Sequence, residues 1–196
     1  ANGFDEAAAC ARASTSSEWP GAATALALAP CAIYHPDPAR GPIVCFRHAM
    51  CDYTAIAERP GAYEEWMLWL RHMNEWLWAL CDAVTRRTGR LAKVVRLDDF
   101  AGFSLSKFSG GAWRLARRWS AANKEGAASP DYLYPQLLGG LCAFHAPALA
   151  EGAWRVVRPL MPPRAAEKFG MYDVRRAKDA ARLEAWIALA HLPQFH

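Results

Sequence analysis

Gly102-Phe103-Ser104-Leu105-Ser106 opens like the strained elbow from which α/β hydrolases aim a serine nucleophile. The second glycine that lets such an elbow turn tightly is replaced by Ser106, so acyl-transfer chemistry is not expected. Histidines 35, 48, 72, 145, 191 and 196 include no i, i+4 pair and have no dense carboxylate company, which argues against a metal site. There is no G-x-G-x-x-G and no Walker lysine behind a glycine loop, so nucleotide binding is disfavoured. Cys10, Cys31, Cys45, Cys51, Cys81 and Cys142 form no C-x-x-C pair and read as buried, reduced thiols. Binding chemistry remains. Arg114, Arg117 and Arg118 fall at i, i+3, i+4 beside Trp113 and Trp119, a basic helical face suited to an anionic membrane surface or a protein partner. Plain solvation is the alternative, and Arg175, Arg176, Lys178 and Arg182 pose the same choice. The expectation is a protein that is not an enzyme and needs no cofactor or metal.

Composition supports that direction. Hydrophobic residues make up 53% of the 196 positions and include nine tryptophans, while charged residues make up only 21%. Part of that apolar surface could face a ligand rather than a core. A net charge of +4 suits transient contact with anionic headgroups better than sustained nucleic-acid binding. No apolar run reaches the ~18 residues of a membrane span, so membranes would be met from the aqueous side. The reduced thiols point to the cytoplasm or another reducing compartment. Because residue 1 is Ala, the chain reads as a processed product or an excised segment, which leaves an organelle reached after removal of a targeting peptide as a further setting.

The elements that must position these residues follow from periodicity. Residues 1–32 are rich in Ala, Ser and Thr and read as a linker or a peripheral helix, with the domain proper over 33–196. Ile43 to Arg47 is the first run that reads clearly as a strand. From Tyr63 to Thr88, Trp66, Trp69, Leu70, Met73, Leu77, Leu80, Cys81 and Val84 form one helical stripe, with Glu64 and Glu65 in the first turn, Arg86 and Arg87 in the last, and Gly89 as the stop. A strand at Leu91–Leu97, a helix at Gly111–Lys124, a strand at Leu141–Phe144, a helix at Ala148–Val157, a strand at Lys168–Tyr172 and a helix at Val174–Ala190 continue the alternation. That order predicts an α/β fold with a mainly parallel mixed sheet flanked by helices.

Several segments in this order carry a resemblance. They are Arg40-Gly41-Pro42 leading into Ile43-Val44-Cys45-Phe46, then Asp99-Phe100-Ala101-Gly102-Phe103 after a central strand, then Tyr134-Pro135-Gln136. Leu141 to Pro147, Arg158-Pro159-Leu160, Lys168-Phe169 and Leu192-Pro193 complete the set. Together they resemble the CRAL-TRIO domain from about residue 33 to 196. The resemblance implies an apolar cleft floored by the sheet, a gate helix over residues 147–168, and one bound hydrophobic molecule such as a phospholipid, sterol, tocopherol or retinoid. Transfer or presentation of that molecule is the implied role.

It also implies a set of ligand contacts: Arg96 and Lys168 at the headgroup, with Phe100, Phe103, Tyr134, Gln136, Leu137, Leu141, Phe144, Trp154, Val157 and Leu160 around the chain. This sequence departs from the phospholipid-transfer members. Gln136 stands where phosphatidylinositol binders have a glutamate, and by ungapped reading Val94, Arg96 and Cys45 stand where phosphatidylcholine binders have a serine, a threonine and a tyrosine. Arg96 either meets an anionic headgroup or pairs with Asp98 or Asp99 at the strand end. His145, where asparagine is common, is expected to make a structural hydrogen bond. The alternative function is a docking or assembly subunit whose cleft is filled by side chains.

Overall fold

The computed structural model describes residues 19–35, 37–103, 110–111, 113–124, 134, 136–146, 154, 158, 163–173, 176–184 and 187. Among them the chain runs α1 (Ala22–Leu28), β1 (Cys31–Tyr34), β2 (Ile43–Arg47), a 3-10 turn (His48–Met50), α2 (Tyr53–Glu58) and α3 (Ala62–Thr88). It continues through β3 (Val94–Asp99), α4 (Trp113–Lys124), β4 (Leu138–Phe144), α5 (Pro163–Lys168), β5 (Phe169–Tyr172) and α6 (Ala177–Glu184). The strands form one sheet in the order β1-β2-β3-β4-β5, with β1 antiparallel to β2 and the other neighbours parallel. This is the α/β, mainly parallel mixed sheet read from the sequence.

The long helix α3 starts after Gly61 and stops at Gly89, both at positive φ (77° and 67°), with acidic residues in its first turn and arginines in its last. Its buried stripe, Trp69, Leu70, Met73, Leu77, Leu80 and Val84, packs with Ala22 and Ala25 of α1 and with Val44, Phe46 and Val94 of the sheet. The other sheet face carries Ile43, Cys45, Val95, Leu97, Cys142, Phe144 and Tyr172, covered by Leu183 and Ile187. Burial on both faces makes the parallel strands read as nearly continuous apolar runs.

Element boundaries shift for identifiable reasons. β3 begins at Val94 rather than Leu91, which is 66% exposed, and it extends to Asp98 and Asp99, which are buried against partners. β4 begins at Leu138, which pairs with Val94, and Gly139 is the extra residue of a register shift before Gly140 pairs with Val95; a Cβ on Gly139 would lie 2.8 Å from that of Lys93. α4 starts at Trp113, since Gly111 presses against α2, where a Cβ would lie 2.2 Å from the Thr54 amide nitrogen. The helix expected at Ala148–Val157 lies outside the described residues apart from Trp154.

Gly41 explains the turn that opens β2. A Cβ there would stand 1.9 Å from the Lys93 carbonyl oxygen, and the adjoining backbone is pinned by the Val95 amide donating to the Pro42 carbonyl at 3.0 Å. Gly41→Ala is therefore expected to cost ~1–3 kcal/mol by overpacking, read as a lower urea midpoint at unchanged slope. Cys31, Cys45, Cys51, Cys81 and Cys142 are thiols outside any disulfide, and burial raises those of Cys31, Cys45, Cys81 and Cys142 to about 12.

Candidate functional site

Register places Val44 beside Arg96 and Val94 beside Leu138, so these residues and Phe46 share one face of the sheet. Across from them α3 presents Trp66, Leu70, Met73, Asn74 and Leu77, one helical turn after another. Between the two lies a pocket of about 480 Å³. His48, Cys51 and Tyr53, which follow the C-terminal end of β2, line it together with Leu115, while Tyr134 and Leu137, which precede β4, also contribute to its wall. The lining is mostly apolar, and Arg96 is its only permanent charge among the described residues.

Arg96 is held by two contacts. Its Nε donates to Asp98 Oδ1 at 2.8 Å, and the guanidinium lies 4.6 Å from the centre of the Phe46 ring. Its side chain is 39% exposed and lines the pocket; the Asp98 side chain is 7% exposed. Burial alone would lower the Arg96 pKa, but Asp98 outweighs it and keeps the guanidinium charged. Burial likewise works to raise the Asp98 carboxyl, and the Arg96 charge, with help from His48, holds it below its ordinary value. His48 Nε2 lies 3.3 Å from Asp98 Oδ1 without the alignment of a hydrogen bond, while Nδ1 pairs with the Tyr53 hydroxyl. The His48 ring stacks on Phe100 at 4.2 Å and 9°. Desolvation pushes the Tyr53 phenol far above its usual range, so it remains a neutral hydrogen-bonding group. Asp99 points to the opposite face, where it meets His145 Nδ1 at 2.8 Å; this is the structural hydrogen bond expected of that histidine.

Three of the expected contact residues, Arg96, Tyr134 and Leu137, line the pocket. Leu141 pairs with Arg96 and Phe169 and so shares their face, and Trp154 lies against Phe169 with ring centroids 4.0 Å apart. Phe100 and Phe103 join His48 and Tyr53 in an aromatic cluster at the strand ends. Gln136 is exposed at φ 66°, near the Lys93 ammonium, and Lys168 is half-buried at the end of α5; neither lines the pocket. Phe144 stands on the other face, packed among Cys142, Tyr172 and Leu183, because a residue three positions from Leu141 in a strand must point the opposite way. The same parity turns Cys45 away from the pocket. Val157 and Leu160, with most of the expected gate, lie outside the described residues.

Two groups escaped sequence reasoning. The pocket-facing residues of α3 looked like ordinary core, and His48 and Tyr53 carried no recognisable spacing. The basic face of α4 is also different from expectation: Arg114 pairs with Glu58, and Arg118 pairs with Glu64 and lies 3.9 Å from the centre of the Tyr63 ring. Two of its three arginines therefore dock α4 onto α2 and α3. Arg117 and Trp113 are exposed.

A family model described as CRAL/TRIO domain matches residues 29–196. No curated protein matches the chain. CRAL/TRIO domains as a class bind and transfer lipids and other hydrophobic ligands, typically without catalysis.

Proposed function

The chain belongs to the CRAL/TRIO family, and on that premise we propose that it binds one hydrophobic molecule in the pocket between α3 and the sheet and carries or presents it without chemical change. The observation that carries this reading is the pocket itself. Its volume of about 480 Å³ falls in the ~300–1,000 Å³ range of small-molecule sites, and its mostly apolar walls carry one permanent charge, Arg96, among the described residues.

The energetics fit exchange with a membrane. Each methylene buried gains ~0.8 kcal/mol against water but almost nothing against a bilayer interior. Loading from a membrane is therefore close to balance, and selection falls to the polar group and the pocket shape. The mildly basic surface favours brief visits to anionic membranes.

Organic extraction of the natively purified protein is expected to release a dominant lipid near one per chain, read by mass spectrometry. Leu138→Trp places an indole in the pocket wall from a half-buried position and is expected to abolish uptake at nearly unchanged stability. An empty extract, no uptake from mixed liposomes, and a cost of ~1–3 kcal/mol for Leu138→Trp would instead mark a filled site and a docking subunit.

A further inference from the structure

The run Arg86-Arg87-Thr88-Gly89-Arg90-Leu91-Ala92-Lys93 closes α3 and leads into β3. Its shape is fixed by local hydrogen bonds. Gly89 stops the helix at φ 67°, and its amide donates to the Thr85 carbonyl at 2.9 Å. The Thr88 hydroxyl accepts the Arg90 amide at 3.2 Å, and the Thr85 hydroxyl accepts the Ala92 amide at 2.9 Å. Beyond them the Val94 amide donates to the Leu137 carbonyl at 2.8 Å. A loop tied in this way to the helix and to the sheet loses little further freedom when a partner engages it. Between the anchors Leu91 is 66% exposed, the highest value among the large apolar residues described. Arg90 is exposed as well, and no ion pair engages it among the described residues.

The neighbourhood is basic. Arg87 donates to the Pro38 carbonyl and Gly41 abuts the Lys93 carbonyl, so the turn that carries Arg40 lies alongside. Among the described residues, Arg40, Arg86, Arg87, Arg90 and Lys93 are accompanied by two carboxylates, Asp37 paired with Arg40 and Asp82 paired with Arg86. Three of the chain's four net positive charges therefore gather at this end of α3. Tyr34, 42% exposed, ends β1 beside Ile43 at the same edge. We infer that this loop is a docking surface for anionic bilayers, with its cations among the headgroups and Leu91 entering the interface. Each basic residue near such a surface strengthens binding ~5-fold, and a bilayer rewards each inserted apolar side chain separately. A protein interface needs a cluster of buried anchors, and single-stranded nucleic acid needs stacking aromatics; the loop itself carries neither. The surface lies outside residues 147–168, and its bond to Leu137 joins it to the pocket wall. It does not require the pocket to be filled.

The test is co-sedimentation of the full chain with vesicles of phosphatidylcholine alone and of phosphatidylcholine mixed with phosphatidylserine. Binding is expected only to the mixed vesicles and is expected to fall as salt rises. Arg90→Gln is expected to weaken it ~5-fold and Arg90→Lys to preserve it, because headgroups read charge rather than a planar fork. Arg59→Gln removes the same net charge just before α3, a helix ~40 Å long, and at that distance screening is expected to leave binding unchanged. Leu91→Ser is expected to weaken binding several-fold while Leu91→Trp retains it, a difference that charge alone does not produce. These side chains are exposed, so the variants are expected to fold as the parent does. Equal losses in Arg90→Gln and Arg59→Gln would show a diffuse field and overturn the surface. Retention on heparin or on an acidic peptide, lost in Arg90→Gln without any vesicle binding, would overturn the bilayer as the partner. The expected vesicle pattern with an empty native extract would support this surface while removing the carrier reading; a loaded extract without that pattern would overturn the surface and leave the carrier reading in place.

Discussion

Arg96→Met is expected to lower folding stability by about 3–5 kcal/mol, the loss that follows when one member of a buried ion pair is left behind. The cost arises at Asp98, whose side chain is 7% exposed, rather than at the arginine, which retains contact with the pocket. Adding Asp98→Asn should recover most of it, because the uncompensated charge disappears. The pH dependence gives the stronger test. In the unmodified protein the Asp98 carboxyl is held below its ordinary 3.8, so its contribution is fully present above that value and is lost as pH falls through the lower folded value. In Arg96→Met, burial works on Asp98 without the arginine and raises its pKa; the protein should then gain stability as pH falls from neutral towards 5. Urea midpoints at the two pH values decide the matter. A variant whose midpoint does not rise between neutral pH and 5 would show that His48, 3.3 Å from the same oxygen, already compensates the charge.

The pairing of Arg96 shows where sequence reasoning reaches its limit. Both Asp98 and Asp99 were open as partners, and only strand parity decides between them: residue 98 shares a face with residue 96, while residue 99 turns away to His145. Helix α3 was legible almost to the residue because its stripe, its end charges and its closing glycine all agree. The β-α alternation and the ordered motifs likewise reached the right sheet. The pocket was legible only in part. Arg96, Tyr134 and Leu137 were found through the resemblance, whereas Val44 and Phe46 required the register between β2 and β3, and Phe144 was placed without regard to its distance from Leu141. Arg114 and Arg118 looked like a free basic face because their glutamates lie in helices far earlier in the chain. Local pattern encodes elements; contacts between elements depend on register and on docking, which one sequence does not display.

Trp69 provides the second large effect and tests the wall of the pocket. It is completely buried in α3, next to the lining residue Leu70, in the cluster that joins α1, α3 and the sheet. Trp69→Ala is expected to cost ~3–5 kcal/mol through the cavity it leaves, and a helix that settles into that cavity would alter the wall formed by Leu70 and Met73. Trp69→Phe should behave quite differently. The indole Nε1 is buried and has no hydrogen-bond partner among the described residues, so the native state already bears a desolvation penalty of ~1–3 kcal/mol for that group. Phenylalanine retains most of the apolar contact and removes the unpaired donor, and the smaller ring offsets part of that gain. The net cost is expected to stay within ~1.5 kcal/mol, with lipid content preserved. Urea unfolding of both variants, with extraction of the second, reads the difference. A Trp69→Phe cost as large as that of Trp69→Ala would mean that the indole N–H has a partner in solution, and a buried water bridging it to the backbone would be the group to seek.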